Sequence, residues 1–138
     1  MGYLHINVFA VIVAAIVTFG IGALWYSPLL FGKQWLAFNG YGPDKVEAMR
    51  KQAGKAYGIS FACYVVMAAM FAILLRITHI TAILAGAKLG VLLWLGFVAA
   101  VGLTANVYSD KPLKAFLLDA GYQLVYLIVT GLILTAWQ

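Results

Sequence analysis

The chain has 138 residues, of which 65% are hydrophobic and only 9% charged, with a formal net charge of +5. Soluble domains carry charge on about a quarter of their residues, so this composition excludes an ordinary water-soluble fold and points to one membrane-embedded domain over residues 1–138. The positive balance does not imply nucleic acid: five of the nine basic residues, Lys33, Lys45, Arg50, Lys51 and Lys55, fall in one interhelical segment, where juxtamembrane cations meet anionic lipid.

No Asp, Glu, Lys or Arg precedes Lys33, and further charge-free stretches cover residues 56–75, 89–109 and 120–138. A hydrocarbon core of about 30 Å takes roughly 20 apolar residues per helix. The expected fold is therefore all-α: a polytopic membrane protein of four transmembrane helices, arranged as two hairpins, with spans at about 6–26, 56–75, 82–108 and 113–137.

The first span has no basic residue at its amino end and closes on Trp25, Tyr26, Ser27 and Pro28 rather than on a small-residue cleavage site, so it reads as a retained helix and not a signal peptide. Pro28 cannot continue the backbone ladder, and Trp25, Tyr26, Phe31 and Trp35 form an interfacial aromatic cluster. Residues 29–38 are amphipathic and suited to the membrane surface. After the turn signal Asn39, Gly40, Tyr41 and Gly42, Pro43 and Asp44 suit a helix start by fixed dihedral and favourable dipole. A polar helix over residues 44–55 is expected to run straight into span two as a cytoplasmic extension, presenting Lys45, Arg50, Lys51 and Lys55 to lipid. Cys63 is the only cysteine, which excludes an intrachain disulfide, and it reads as a packed thiol.

A short loop with His79 leads to span three, which carries Lys88, and the turn Ser109, Asp110, Lys111 and Pro112 leads to span four. The loops after spans one and three share a side and hold seven basic residues, against Arg76 and Lys88 opposite. This asymmetry places those loops in the cytoplasm and both termini outside. Tyr26, Ser27 and Pro28 after span one are echoed by Tyr108, Ser109 and Pro112 after span three. A parallel duplication of hairpins would give this echo, and so would chance.

Asp119 is the sharpest candidate for chemistry, because an acid in an apolar run costs about 2.5–3.5 kcal/mol near a helix centre. It lies only about one turn into span four, where Lys114, Lys55 or Arg50 offers an ion pair. Asp119, Tyr122, Gln123, Tyr126 and Thr130 recur at helical spacing on one face. That face should turn inward, either to line a wet path or to hydrogen-bond neighbouring helices. On span three, Lys88, Leu92, Leu95, Ala99, Gly102 and Asn106 share a second face, on which Lys88 can snorkel to the headgroups. Small-residue pairs at Gly86 and Gly90 and at Gly54 and Gly58 suit close helix approach, and Trp94, near mid-bilayer, needs a partner for its ring N–H.

No catalytic set emerges: the sequence has no H-E-x-x-H pair, no nucleophile with a candidate base on a nearby span, and no phosphate-binding glycine loop. His5 and His79 lack accompanying Cys or carboxylate ligands, so neither a metal nor another cofactor is expected.

Trp25-Tyr26-Ser27-Pro28 with Leu30-Phe31-Gly32-Lys33 and Trp35, the run Leu93 to Val98, Asn106 with Tyr108, Lys111-Pro112-Leu113-Lys114, and Asp119-Ala120-Gly121-Tyr122 leading toward Trp137 together resemble an uncharacterised family of small four-span bacterial membrane proteins, a domain-of-unknown-function family. The resemblance covers almost the whole chain. It implies four helices in a bacterial inner membrane and no assigned activity. The small multidrug exporters match in length, but they use an acid in the first span, which this chain lacks.

The first functional expectation is a small transporter or channel for a solute or ion, formed between copies of the chain, because four short helices enclose little interior. The alternative to it is a non-transporting structural or accessory protein that binds anionic lipid or a protein partner through its basic loop.

Overall fold

A computed structural model describes residues 5–138; the first four residues of the expected domain lie outside the described residues. The described chain is helical, in the order α1 (Val8–Trp25), α2 (Gly32–Asn39), α3 (Pro43–Lys51), α4 (Ala53–Ile77), α5 (Ile83–Leu93), a π-helical segment (Trp94–Ala99), α6 (Ala100–Tyr108) and α7 (Leu113–Ala136). Among the described residues, four helices are long and apolar enough to cross a membrane: α1, α4, the continuous run Ile83–Tyr108, and α7.

Local chemistry explains where these helices start and stop. Asn7 caps α1, its Oδ1 accepting from Ala10 N–H at 3.2 Å. Pro43 occupies the first turn of α3, with Asp44 beside it and Arg50 and Lys51 in the last turn, so charge opposes the helix dipole at both ends. The polar extension does not run unbroken into span two. Gln52 leaves helical geometry, at φ −97° and ψ 1°, and α4 starts at Ala53. The chain reverses after α2 through Gly40, whose φ of +71° is the left-handed cap that glycine adopts without penalty. His79 and Asp110 adopt the same conformation after α4 and α6.

α7 is the hub. It packs on α1, α2, α4, α5, the π-helical segment and α6, while α1 also packs on α4. The core lies where α1, α4 and α7 meet: Ala10, Val11 and Ala14 from α1, Ala68, Phe71, Ala72 and Leu75 from α4, Leu127 and Leu134 from α7. Small residues on α1 let large ones from its neighbours close the gap. The third span is the least buried of the four. It approaches α7 through Gly86 and Gly90, where a Cβ at Gly90 would stand 2.5 Å from Leu127 O and one at Gly86 would collide with the Thr135 hydroxyl. Gly131 on α7 in turn abuts the Gly86 carbonyl. The Gly86 and Gly90 pair is thus an intrachain contact, whereas nothing lies within 4 Å of a Cβ at Gly54 or Gly58.

The π-helical segment redraws the expected face of span three. Ala100 N–H bonds Leu95 O, five residues back, and one extra residue in a turn is worth about 100° of rotation. Lys88, Leu92 and Leu95 therefore point away from the bundle and are exposed, while Ala99 is buried and Gly102 and Asn106 are half-buried. A 3.6-residue period drawn through all six residues assumed a regular helix that the chain does not form.

The two ends of the bundle differ. At one end α2, α3 and the α6–α7 turn come together. At the other, the carboxy terminus is tied down: Gln138 Nε2 donates to Ile80 O at 2.8 Å, and Asn7 Nδ2 donates to Trp137 O at 3.3 Å.

Candidate functional site

The residues of α7 from Leu118 to Tyr126 carry most of the polar side-chain contacts between spans. Tyr26, just past the end of α1, donates its hydroxyl to Asp119 Oδ1 at 2.6 Å. Tyr122 donates to Thr18 O at 2.8 Å and lies 3.1 Å from the Tyr64 hydroxyl of α4, so one phenol joins three spans. The hydroxyl has room because residue 22 is glycine; a Cβ there would stand 2.7 Å from it. Trp25 Nε1 donates to Leu118 O at 3.1 Å, and Trp94 Nε1 to Ala120 O at 2.8 Å. Trp94 thus finds on a neighbouring helix the partner expected for its ring N–H.

Aromatic rings pack around these bonds. Tyr122 meets Tyr26 and Tyr126 edge-on, with centroids 5.4 and 4.9 Å apart, and Tyr126 lies 5.7 Å from Tyr64. The array continues outward from Tyr26 to Trp35 at 5.8 Å and from Trp35 to Tyr41 at 5.4 Å. Edge-on rings at such distances add about 0.5–1.5 kcal/mol per pair beyond their area. The site is therefore a rigid aromatic and hydroxyl cluster at the α2 end of the bundle, with a half-buried carboxylate at its margin.

Several expected placements differ. Asp119 takes a phenol rather than a cation: among the described residues the one ion pair is the exposed Arg50–Glu47 contact at 3.9 Å, and Lys114, Lys55 and Arg50 do not reach the carboxylate. Asn106 turns to its own loop, Nδ2 donating to Lys111 O at 3.1 Å, because the left-handed Asp110 folds that carbonyl back over the helix end. Lys88 is exposed on the side of span three away from α7. Gln123 and Tyr126 are half-buried, and Thr130 is buried with its hydroxyl unpartnered. Lys45, Arg50, Lys51 and Lys55 are all exposed along α3 and the start of α4. Cys63 is not packed; it faces an open groove of about 430 Å³ on α4, beside Ile59, Ala62, Val66 and Met67.

Thr18, Gly22 and Tyr64 were not legible as site residues. Tyr64 carried a signal, as a phenol in the middle of a charge-free span, where a hydroxyl needs a partner. Thr18 and Gly22 carried a weaker one, four residues apart in the small-residue pattern of close helix contact. No group of three or more His, Cys, Asp or Glu side chains suited to a metal occurs among the described residues.

Residues 9–135 match the family described as Protein of unknown function (DUF1761), which spans nearly the whole chain, and the protein belongs to that family. No curated protein and no solved structure matches it.

Proposed function

We propose that this member of a family of unknown function is a non-transporting structural or accessory protein of the bacterial inner membrane, in which the polar stripe locks the helices and the basic end meets anionic lipid. The observation that carries this reading is where the stripe spends its polarity. Asp119 accepts from Tyr26, and Tyr122 is bound to α1 and α4. Interhelical hydrogen bonding is the usual role of such groups in membrane bundles.

In this reading the two hairpins, α1 with α4 and the third span with α7, sit with the α2–α3 end in the cytoplasm and both termini outside. The excess of Lys and Arg at that end supports this orientation. On this reading the protein has no enzymatic role and needs no cofactor. Its basic extension, with Lys45, Arg50, Lys51 and Lys55, faces anionic headgroups.

One observation favours the second reading, a transporter or channel for a small solute or ion formed by a homo-oligomer. The Thr130 hydroxyl is buried and unpartnered on the same helix as Asp119, as a group that meets water or an ion in another state would be. Reconstitution separates the two. Proteoliposomes of the wild type are expected to pass no proton or alkali cation, and neutralising Lys45, Arg50 and Lys51 is expected to reduce enrichment of anionic over zwitterionic lipid. A flux abolished by Asp119→Asn, in protein that still purifies intact, overturns the non-transporting reading.

A further inference from the structure

Three lysines from separate parts of the chain converge on the aromatic surface of the α2 segment. Lys45 of α3 and Lys111 of the α6–α7 turn both stand over the Tyr41 ring, with Nζ 5.5 and 6.0 Å from its centroid. Lys114, in the first turn of α7, stands 5.9 Å from the Phe38 ring. The fold produces this convergence: α2 packs beside α7, and the Gly40 cap turns Tyr41 back toward that helix. Tyr41 is further fixed against Trp35, and through it to Tyr26.

Like charges that converge raise each other's energy unless an anion answers them. No acid among the described residues does so here. Asp44 and Asp110 are sequence neighbours of Lys45 and Lys111, yet the one ion pair among the described residues is Arg50–Glu47. Cation–π contact offsets part of the repulsion and holds the ammonium groups in place, leaving their other donors free. Exposed side chains that adjoin the cluster along the chain supply an apolar wall: Leu113 and Leu117 flank Lys114 in α7, and Val107 and Tyr108 end α6 just before the turn that carries Lys111. Cations over exposed apolar side chains, at the ends of spanning helices, suit a molecule with a phosphate above and acyl chains below.

We propose that Lys45, Lys111 and Lys114, organised by Tyr41 and Phe38, form a discrete site for the headgroup of an anionic phospholipid. This inference rests on the lipid-facing reading of the basic end and narrows it to three residues, only one of which belongs to the polar extension. Free phosphate shares the headgroup chemistry but makes no use of the apolar wall, which is why the lipid is the occupant.

Native mass spectrometry of the full-length protein, delipidated in detergent and titrated with phosphatidylglycerol or phosphatidylcholine, tests this. The wild type should retain phosphatidylglycerol selectively. Neutralising the cluster as K45Q/K111Q/K114Q should weaken retention by roughly tenfold or more, K45R/K111R/K114R should restore it, and R50Q/K51Q/K55Q should change it by less than about twofold. Equal losses in both neutral triples would mean diffuse attraction, overturning the discrete site while leaving the lipid-facing reading standing. Equal retention of the two lipids by the wild type would overturn both. Displacement of the lipid by millimolar inorganic phosphate would overturn the assignment to phospholipid. Melting temperatures of the triples within a few degrees of the wild type show that the exposed lysines report binding and not folding.

Discussion

α7 holds its neighbours in two ways along one length. From Leu127 to Thr135 it meets span three almost backbone to backbone, through Gly86, Gly90 and Gly131, and no polar side chain bridges the two helices there. From Leu118 to Tyr126 it meets α1, α4 and span three through hydroxyls, indoles and a carboxylate. The hydrophobic effect offers little between helices already in lipid, so both halves draw on what remains: dispersion at short range in one, hydrogen bonds in the other. The first tolerates no added volume, and the second no lost partner.

The comparison is broken most forcefully in the close-packed half. Gly90→Val places a side chain against Leu127 O and is expected to cost about 1–3 kcal/mol, in the range of core overpacking, seen as a lower midpoint for unfolding in mixed micelles; a wild-type midpoint would mean that α5 and α7 do not approach as described. Thr130→Val, within the close-packed half, should raise stability by about 1 kcal/mol, because it removes a buried hydroxyl with no partner at nearly constant shape. A loss there would reveal a bond or a bound water, and would favour the oligomeric path over the locked bundle.

The polar half should yield less per residue. Tyr26→Phe and Asp119→Asn, combined in a double-mutant cycle, should give a coupling of about 0.6 kcal/mol and no more than about 1.7, the range found for hydrogen bonds between membrane helices. Zero coupling would remove Tyr26 as the partner of Asp119. Trp94→Phe should cost a similar amount, about 0.6 kcal/mol, and should release the Ala120 carbonyl, visible as a shift of the isotope-labelled amide I band.

What the sequence disclosed and what it concealed divide along the same line. Long charge-free runs, Pro43 with Asp44, and the stripe headed by Asp119 obey local or single-helix rules, and these marked the spans, the start of α3 and the inward face of α7. The need of Trp94 for a partner also followed from its depth. Partner identity did not, because it depends on which helices lie side by side: Tyr26 rather than Lys114 answers Asp119 since the chain bends back at Ser27 and Pro28, where Phe31 N–H bonds Trp25 O and Gly32 N–H bonds Ser27 O. The grouping of Lys111 and Lys114 with Lys45 was hidden for the same reason, with more than sixty positions between them in the chain. The π-helical segment left no mark in a periodicity that presumes regular turns.

That segment has an evolutionary consequence. Deleting a single amino acid between Trp94 and Ala99 would not merely shorten the span by a fraction of its length; it would swivel everything on one side of the gap, carrying either Lys88 toward the interior or Ala99 out into oil. Length in this stretch therefore acts as a rotational setting, and insertions or losses of one codon here should be purged where point changes nearby are forgiven.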